Sequence, residues 1–442
     1  MSRIALDTGC RLTDRNNKKE KHMKKFLAAF LVLSLLITGV WAGGSGESSG
    51  GVERLEILLS DDTLEGGAMA KAVERFNAEY ADKGIQVFIN EIAYGDMQTQ
   101  IQNRAMAHDL PALIRSGHFI QYNDLAYSLE GKVGDLTGDS FAMDGTSPAT
   151  GELIAGTVNA TAVGLIINKT AFDKAGVSYP LTEEERWTWD EFMAALDQVM
   201  AANEDTLDYA LVIDYSQQRI RTILYQFGSL FFDPEDPKHL ILDSPETKEA
   251  IDFILSLYKN GYSSVSAGLG TENAQQMFKT GRVAAHLAGN WVITDYMENI
   301  KDFEWIPVLM PYETTVATCL GGNFLYAFDG TGQEEAAVEF INWFFQPENY
   351  IQYCKDGNYL PGVKGIEVDY DVPGLDIFVQ ELNATDAGPE RDKAIESSYI
   401  GKDWGNTLRD NLARAVAGEI TGEDVIRITC DTLLETYGDI HE

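Results

Sequence analysis

The alternation of short apolar segments with amphipathic ones limits the possible folds of this chain more than any other feature. Strands are predicted at 55–59, 85–89 and 112–114, with one helix from Met69 to Gly84 and another at 94–107. The first helix repeats its apolar residues every three or four positions, as one face of a helix does. Strand, helix, strand, helix, strand is the pattern of a parallel sheet covered by helices.

The pattern then breaks and starts again in the second part of the chain. Residues 163–167 are a new apolar strand. Thr188 and Glu191 have the spacing of a capping box, which opens a helix. Pro245 suits the first position of another helix, and a last long helix begins at 421–424. Two α/β lobes are therefore predicted, with ligand positions at the carboxyl ends of the strands.

The composition excludes several classes of protein. The chain has 442 residues, 45% of them hydrophobic, which excludes wholesale disorder and collagen-like structure. With 34 basic and 69 acidic residues its net charge is −35, which disfavours nucleic acid, polyanions and anionic membranes as partners. Its four cysteines lack the spacing of a zinc site, and a disulfide between two of them stays open.

The N-terminus predicts export. Residues 23–42 have a basic start, an apolar middle and small residues before a cleavage after Ala42, which is a secretory signal peptide. A membrane anchor is the alternative. Met23 is the expected initiator, residues 1–22 are an expected upstream extension, and residues 43–51 are a Gly/Ser linker. Residues 1–42 hold eight basic and three acidic residues, so the remainder has 26 basic and 66 acidic residues and a net charge of −40.

Four further segments are distinctive by their order and spacing. They are GTVNATAVGLIINKTAF (156–172) followed by KAGV (174–177), WTWDEF (187–192), MFKTGRVAA (277–285) with GNW (289–291), and LPG (360–362). Together they resemble the motifs of the extracellular solute-binding protein family 1 of ABC importers, of the carbohydrate type that includes maltose-binding protein. The resemblance covers residues 55–436, and it departs at Ile167, where an aromatic residue is common.

The resemblance implies an α/β fold of the two-lobed periplasmic-binding-protein-like II class, in which helices flank a mostly parallel sheet in each lobe. Three crossings between the lobes are expected, near Asn159, Gly321 and Pro361. The expected lobes are residues 52–159 plus 322–361 for lobe 1 and residues 160–321 plus 362–442 for lobe 2.

The resemblance also implies a function. The protein is expected to capture a small solute, a sugar or an oligosaccharide, by hinge closure, and to deliver it to membrane permease subunits driven by a cytoplasmic ATPase. It is expected to be a periplasmic monomer without cofactor, metal or Cys-linked lipid. Two alternatives stay open: a binder of a polyol, glycerol phosphate or other non-sugar solute on the same fold, and a sensory solute-binding protein.

An enzyme is the competing class. The sequence has no G-x-S-x-G elbow between a predicted strand and helix, since its match GESSG (46–50) lies in the Gly/Ser linker. It has no GxxxxGK[ST] or H-E-x-x-H motif, and its six histidines show no ligand spacing. A carboxylate pair for glycoside hydrolysis stays possible among so many acidic residues. Because no feature favours such a pair, a binding protein is predicted rather than an enzyme.

The candidate ligand residues have the chemistry that a saccharide requires. An aromatic face covers the C–H face of a pyranose, and polar side chains meet its hydroxyls. Trp291, after an apolar strand, and Trp404, at a helix start, are the aromatic candidates, each with packing as its alternative. The polar candidates are Asp61, Asp62, Ser116, His118, Asn159, Thr161, Asn323 and Arg221. The alternative role of the two aspartates is a helix cap, and the alternative role of His118 is a structural one.

Overall fold

The structure, a computed structural model, describes residues 52–60, 62–63, 66–93, 96–117, 120–143, 145–147, 149–370, 372, 374–386, 388–389, 392 and 404–442. The predicted extension, signal peptide and linker lie outside these residues. Within the described ranges, none of the helices combines the length and the apolar character that a bilayer crossing requires.

Strands and helices are numbered here in chain order. The strands β1–β8 are Glu53–Ser60, Ile85–Ile92, Leu113–Ser116, Gly156–Asn168, Tyr209–Ile213, Val283–Gly289, Trp305–Val308 and Leu320–Ala327. The helices α1–α14 are Ala68–Glu79, Met97–Met106, Lys169–Ala175, Trp189–Ala202, Gln217–Gln226, Pro245–Lys259, Val265–Gly268, Ala274–Lys279, Ile293–Asn299, Glu334–Phe344, Pro347–Gly357, Leu375–Ala384, Trp404–Val416 and Gly422–Thr436. Short 3-10 helices occur at Ala81–Lys83, Ile120–Leu125, Gly138–Ser140, Glu183–Glu185 and Asn290–Val292.

Local sequence signals predicted many of these elements correctly. The strands predicted at 55–59, 85–89 and 112–114 are β1, β2 and β3, and both predicted helices between them are present. The capping box is also present: the Thr188 hydroxyl accepts from the N–H of Glu191 at 3.2 Å, and the Glu191 carboxylate accepts from the N–H of Thr188 at 2.8 Å. These two bonds satisfy N–H groups that a helix start leaves without partners.

Apolar side chains cover both faces of two sheets. β1–β3, β8 and the first half of β4 form the first sheet, and the second half of β4 with β5–β7 forms the second. The two sheets are continuous through β4, in the strand order β2-β1-β3-β8-β4-β6-β5 with β7 beside β4. Because side chains alternate along a strand, Ile57 and Leu58 point into different clusters, as do Leu165 and Ile166. We call the two clusters around the first sheet the first core and those around the second sheet the second core.

The expectation of mostly parallel sheets is correct only in part. β1 pairs parallel with β2 and β3, and β5 pairs parallel with β6. β4 pairs antiparallel with β6, β7 and β8, and β3 pairs antiparallel with β8. The reason is that β4 and β8 lie side by side while they carry the chain between the sheets in opposite directions. Both sheets are therefore mixed.

The three cysteines within the described residues are free thiols. Cys354 lies in the first core and Cys430 in the second, and burial raises the pKa of both thiols to about 12. Cys319 packs against the second core. They behave as small apolar residues, so the disulfide that the sequence left open does not form in this structure.

His286 gives the second core a measurable pH dependence. Burial, with a smaller contribution from the charge of Arg219, lowers the pKa of His286 to about 3. An unfolded histidine titrates near 6.5, so between that pH and 3 the unfolded chain binds a proton that the folded chain excludes. The free energy of unfolding should therefore fall as the pH falls, by about 1.4 kcal/mol per unit.

We expect the wild type to lose about 2 kcal/mol more stability between pH 7 and pH 5 than a His286→Gln variant does. Glutamine retains a polar atom near the Tyr296 hydroxyl, which lies 2.6 Å from the His286 Nδ1. Urea unfolding of both proteins at the two pH values measures the free energy of unfolding. The pH dependence that comes from the carboxylates is the same in both proteins, so it cancels when their losses are compared. Equal losses would contradict the prediction.

Candidate functional site

The three segments predicted to cross between the lobes meet at one place. Asn159 on β4 lies opposite Asn323 on β8, and the N–H of Ala160 donates to the carbonyl oxygen of Leu360 at 2.9 Å. The two strands approach closely here: a Cβ on Gly322 would lie only 2.3 Å from the Asn159 carbonyl oxygen. We call this meeting point the seam.

Two buried carboxamides lie along β4 at the seam. The Oδ1 of Asn159 accepts from Asn323 at 3.4 Å, and the Oδ1 of Asn290 accepts from the N–H of Ala162 at 2.9 Å. The Nδ2 atoms of Asn159 and Asn290 have no hydrogen-bond partner among the described residues. Thr161, partly exposed, lies on β4 between Asn159 and Ala162, the residue that donates to Asn290. A buried N–H without an acceptor costs about 1–3 kcal/mol, which a solute hydroxyl would recover.

The carboxyl ends of β5 and β6 lie together, because these strands run parallel. Trp291 follows β6, and its ring rests on Gly289, where a Cβ would lie 2.0 Å from the indole. Asp214 follows β5, and Arg219 lies in the first turn of α5. The Arg219 Cζ lies 4.5 Å from the centroid of the Trp291 ring, and its Nη2 lies 2.7 Å from the Asp214 Oδ2. This edge of the second sheet therefore presents an aromatic ring beside an ion pair.

Burial changes the pKa of Asp214, the acidic member of that ion pair. Desolvation raises the pKa of Asp214, and the positive charge of Arg219 opposes the rise. The Asp214 Oδ1 has no hydrogen-bond partner among the described residues. The carboxylate therefore has one enclosed acceptor oxygen to which no described residue donates.

Helix α13 is attached to the same edge. The Tyr215 hydroxyl donates to the Asp410 carboxylate, and the Arg409 Cζ lies 4.4 Å from the centroid of the Tyr215 ring. Trp404 is the first residue of α13, and its side chain lies outside the described part of the structure. The predicted ligand contact of Trp404 stays a prediction, on a helix whose second turn contacts the β5–α5 loop.

Of the polar ligand candidates that follow strands of the first sheet, the structure describes Asp62 and Ser116. Asp62 is buried, and its two carboxylate oxygens accept from the N–H groups of the second and third residues of α1, each at 2.9 Å. This geometry favours the helix-cap alternative. Ser116 is buried at the end of β3, beside β8. Asp61 and His118 lie outside the described residues.

Arg221 packs against side chains of the second core, and its ligand contact stays a prediction. It is buried on α5, its Nη2 donates to the Tyr225 hydroxyl at 2.7 Å, and its Cζ lies 5.0 Å from the centroid of the Phe231 ring. Two residues along a helix turn the side chain by about 200°, so Arg219 faces Trp291 while Arg221 faces the second core.

A single threonine of the second core bonds to segments of the first. Thr294 lies on α9 and donates to the carbonyl oxygen of Gly357 at 2.9 Å, and it accepts from the Asn358 Nδ2 at 3.0 Å. A Cβ on Gly66 would lie 2.5 Å from the Thr294 Cγ2, and Gly66 has a φ of +93°. Glycine is thus required at position 66 both by its backbone conformation and by this contact.

Sequence reasoning missed Asp214, Arg219 and Asn290. The available signal was the apolar segment YALVI at 209–213, which precedes Asp214 and forms β5. A strand there would have placed the next residues at a carboxyl edge. The structure brings these three together with Trp291 and the seam, and we call this set the candidate site.

Comparisons with known proteins agree with this architecture. Residues 71–373 match the family of bacterial extracellular solute-binding proteins. A lactose-binding protein of Rhizobium radiobacter is 22% identical over 338 residues, which is 72% of this chain and 75% of that protein.

Solved structures show the same fold. The ABC substrate-binding protein Lmo0181 from Listeria monocytogenes, in complex with cycloalternan, has a TM-score of 0.70 and 20% identity over 87% of this chain and 99% of its own. The GacH receptor of Streptomyces glaucescens has a TM-score of 0.71 and 18% identity over 88% of this chain and 100% of its own. The predicted two-lobed α/β fold is confirmed. Because the match to residues 71–373 covers more than half of the chain, the chain belongs to the bacterial extracellular solute-binding protein family.

Proposed function

We propose that the protein is the exported substrate-binding component of an ABC importer and that its solute is a sugar or an oligosaccharide. The observation that carries the proposal is the position of Trp291 beside buried amide N–H groups at the seam. A flat ring suits the C–H face of a pyranose, and amides and carboxylates suit its hydroxyls. Relatives described as binding lactose, cycloalternan, maltose and acarbose support this choice.

Closure of two lobes about the seam is the proposed means of capture. The proposed lobes are residues 52–159 plus 322–361 and residues 160–321 plus 362–442, although Val363, Ile366 and Val368 pack against the first core. The packing of α13 and α14 in the second core, and the close contact of Gly164 with Phe378 on α12, support the assignment of the C-terminal part to lobe 2. A solute that contacts both lobes favours the closed state by its differential affinity.

Delivery completes the proposed function. The protein is secreted through residues 23–42 into the periplasm, acts as a monomer without a Cys-linked lipid, and passes its solute unchanged to permease subunits that a cytoplasmic ATPase drives. Capture without chemistry is proposed because the described residues of the candidate site offer binding groups and no nucleophile with an attached base. Binding of a polyol or glycerol phosphate, and a sensory role, remain the alternatives.

A thermal-shift screen of purified mature protein tests the solute class. A ligand stabilises by RT ln(1 + [L]/Kd), so lactose, maltose or a longer maltooligosaccharide at about 100 times its Kd should add about 2.7 kcal/mol of stability. Polyols and glycerol phosphate form the comparison set. Stabilisation by glycerol phosphate alone would overturn the saccharide proposal, and chromatographic detection of cleaved sugar would overturn binding without catalysis.

Removal of the ring tests the candidate site. We expect Trp291→Ala to weaken saccharide binding by about 1–2 kcal/mol, a factor of about 5 to 30 in Kd, through the loss of aromatic contact. Trp187→Ala is the matched control, because that ring stacks on Phe172 and Phe192 in the second core. Isothermal titration measures both. Equal weakening in the two variants would remove Trp291 from the site.

Variants of Thr294 test the proposed closure of the two lobes. Thr294→Val keeps the shape of the side chain and removes the hydroxyl that bonds to Gly357 and Asn358. The loss of about 1–2 kcal/mol between the lobes should increase the radius of gyration in X-ray scattering and weaken saccharide binding. Thr294→Ser, which keeps the hydroxyl, should behave as the wild type. An unchanged radius and affinity in the valine variant would show that the contact does not affect closure.

A further inference from the structure

Arg219 is a buried cation between the β5–α5 loop and Trp291. Its side chain is 10% exposed, and its Nη2 lies 2.7 Å from the Asp214 Oδ2. Its Nη1 donates to the Ser216 hydroxyl at 3.1 Å. The two bonds fix the guanidinium plane, and the Cζ lies 4.5 Å from the centroid of the Trp291 ring, within the range of a cation–π contact.

The ion pair is a poor device for stability alone. Desolvation of two charges offsets their attraction, so well-packed apolar residues commonly stabilise a buried place as well or better. The Arg219 Nε and the Asp214 Oδ1 have no hydrogen-bond partner among the described residues, which adds to the cost. What the pair supplies instead is a flat cation at a fixed place against the indole.

Trp291 is restrained on another side by the backbone. A Cβ on Gly289 would lie 2.0 Å from the Cζ3 of Trp291 and 2.6 Å from the carbonyl oxygen of Ala162. The rim of the indole therefore lies on the glycine, next to β4. The ring stays partly exposed. Its orientation is thus set by the guanidinium and by the backbone at the seam.

We propose that the Asp214–Arg219 pair positions Trp291. The pair holds the indole in the orientation that a bound solute would contact. The inference rests on the proposed function, because a ring held ready for a solute matters only to a binding protein. A ring ordered in advance does not lose its rotational freedom on binding, so less affinity is lost to ordering. Asp214 also cancels the charge of Arg219, so the device adds no net positive charge to the site.

Fluorine NMR of 5-fluorotryptophan-labelled protein tests the positioning directly. The Trp291 resonance is assigned with Trp291→Phe. Arg219→Met keeps the length of the side chain and removes its charge, and we expect the Trp291 resonance to shift and broaden while the other tryptophan resonances stay in place. Lys132→Met is the matched control: it removes a cation that lies 4.6 Å from the centroid of the Tyr127 ring, far along the chain from Trp291.

Two further variants keep the test decisive if Arg219→Met does not fold. Asp214→Asn keeps the guanidinium and releases its ionic tether, so the Trp291 resonance should again broaden. Arg219→Lys keeps a cation and should restore part of the wild-type line shape. An unchanged Trp291 resonance in Asp214→Asn and in Arg219→Met, where it folds, would overturn the proposal.

Affinity separates this proposal from the proposed function. With maltose and lactose as probes, Arg219→Met should weaken binding about three- to tenfold, and Arg219→Lys should recover part of the loss. A shifted resonance with unchanged affinity would overturn the positioning role in binding. If the wild type binds no saccharide, the proposed function fails, while the fluorine spectra still decide whether Arg219 holds the ring.

Discussion

Backbone hydrogen bonds between β4 and β8, together with the bond from Ala160 to Leu360, join the two sheets at a single seam. Every other part of the candidate site takes its place from this seam. Because β4 continues into the second sheet, its pairing with β6 brings Gly289 opposite Val163 and carries Asn290 and Trp291 to the seam. The parallel pairing of β5 with β6 then adds the β5–α5 loop.

The seam also explains why polar groups are buried there. The pairing register of β4 with β8 shifts between Thr157 and Asn159, and such irregularities commonly redirect a side chain. Gly322 lets β8 approach so closely that the Asn159 amide is enclosed. Enclosure makes an N–H without an acceptor costly, and the same enclosure makes its satisfaction by a solute favourable. Under the proposed function, the fold would exchange some stability in the empty state for affinity in the occupied one.

Sequence reasoning predicted what depends on local signals. The strands β1–β3 follow from apolar runs, and the start of α4 follows from the spacing of Thr188 and Glu191. It did not reach what depends on helix phase or tertiary contact. Arg219 and Arg221 are equivalent in composition, and only the orientation of α5 decides which one meets Trp291. The role of Asp62 depended likewise on where α1 begins, which a pair of adjacent aspartates does not reveal.

The placement of arginines bears on the kind of solute that the site suits. Arg115, Arg186 and Arg219 are each at most 10% exposed, and each lies within 4.0 Å of a carboxylate. Their charges are thereby cancelled inside the protein, so the net charge of −35 is expressed mainly at the surface. An anionic solute would approach against that field, and near Trp291 it would find an arginine already neutralised by Asp214. A neutral polyhydroxyl solute, as proposed, would meet neither penalty and would satisfy the amides of the seam.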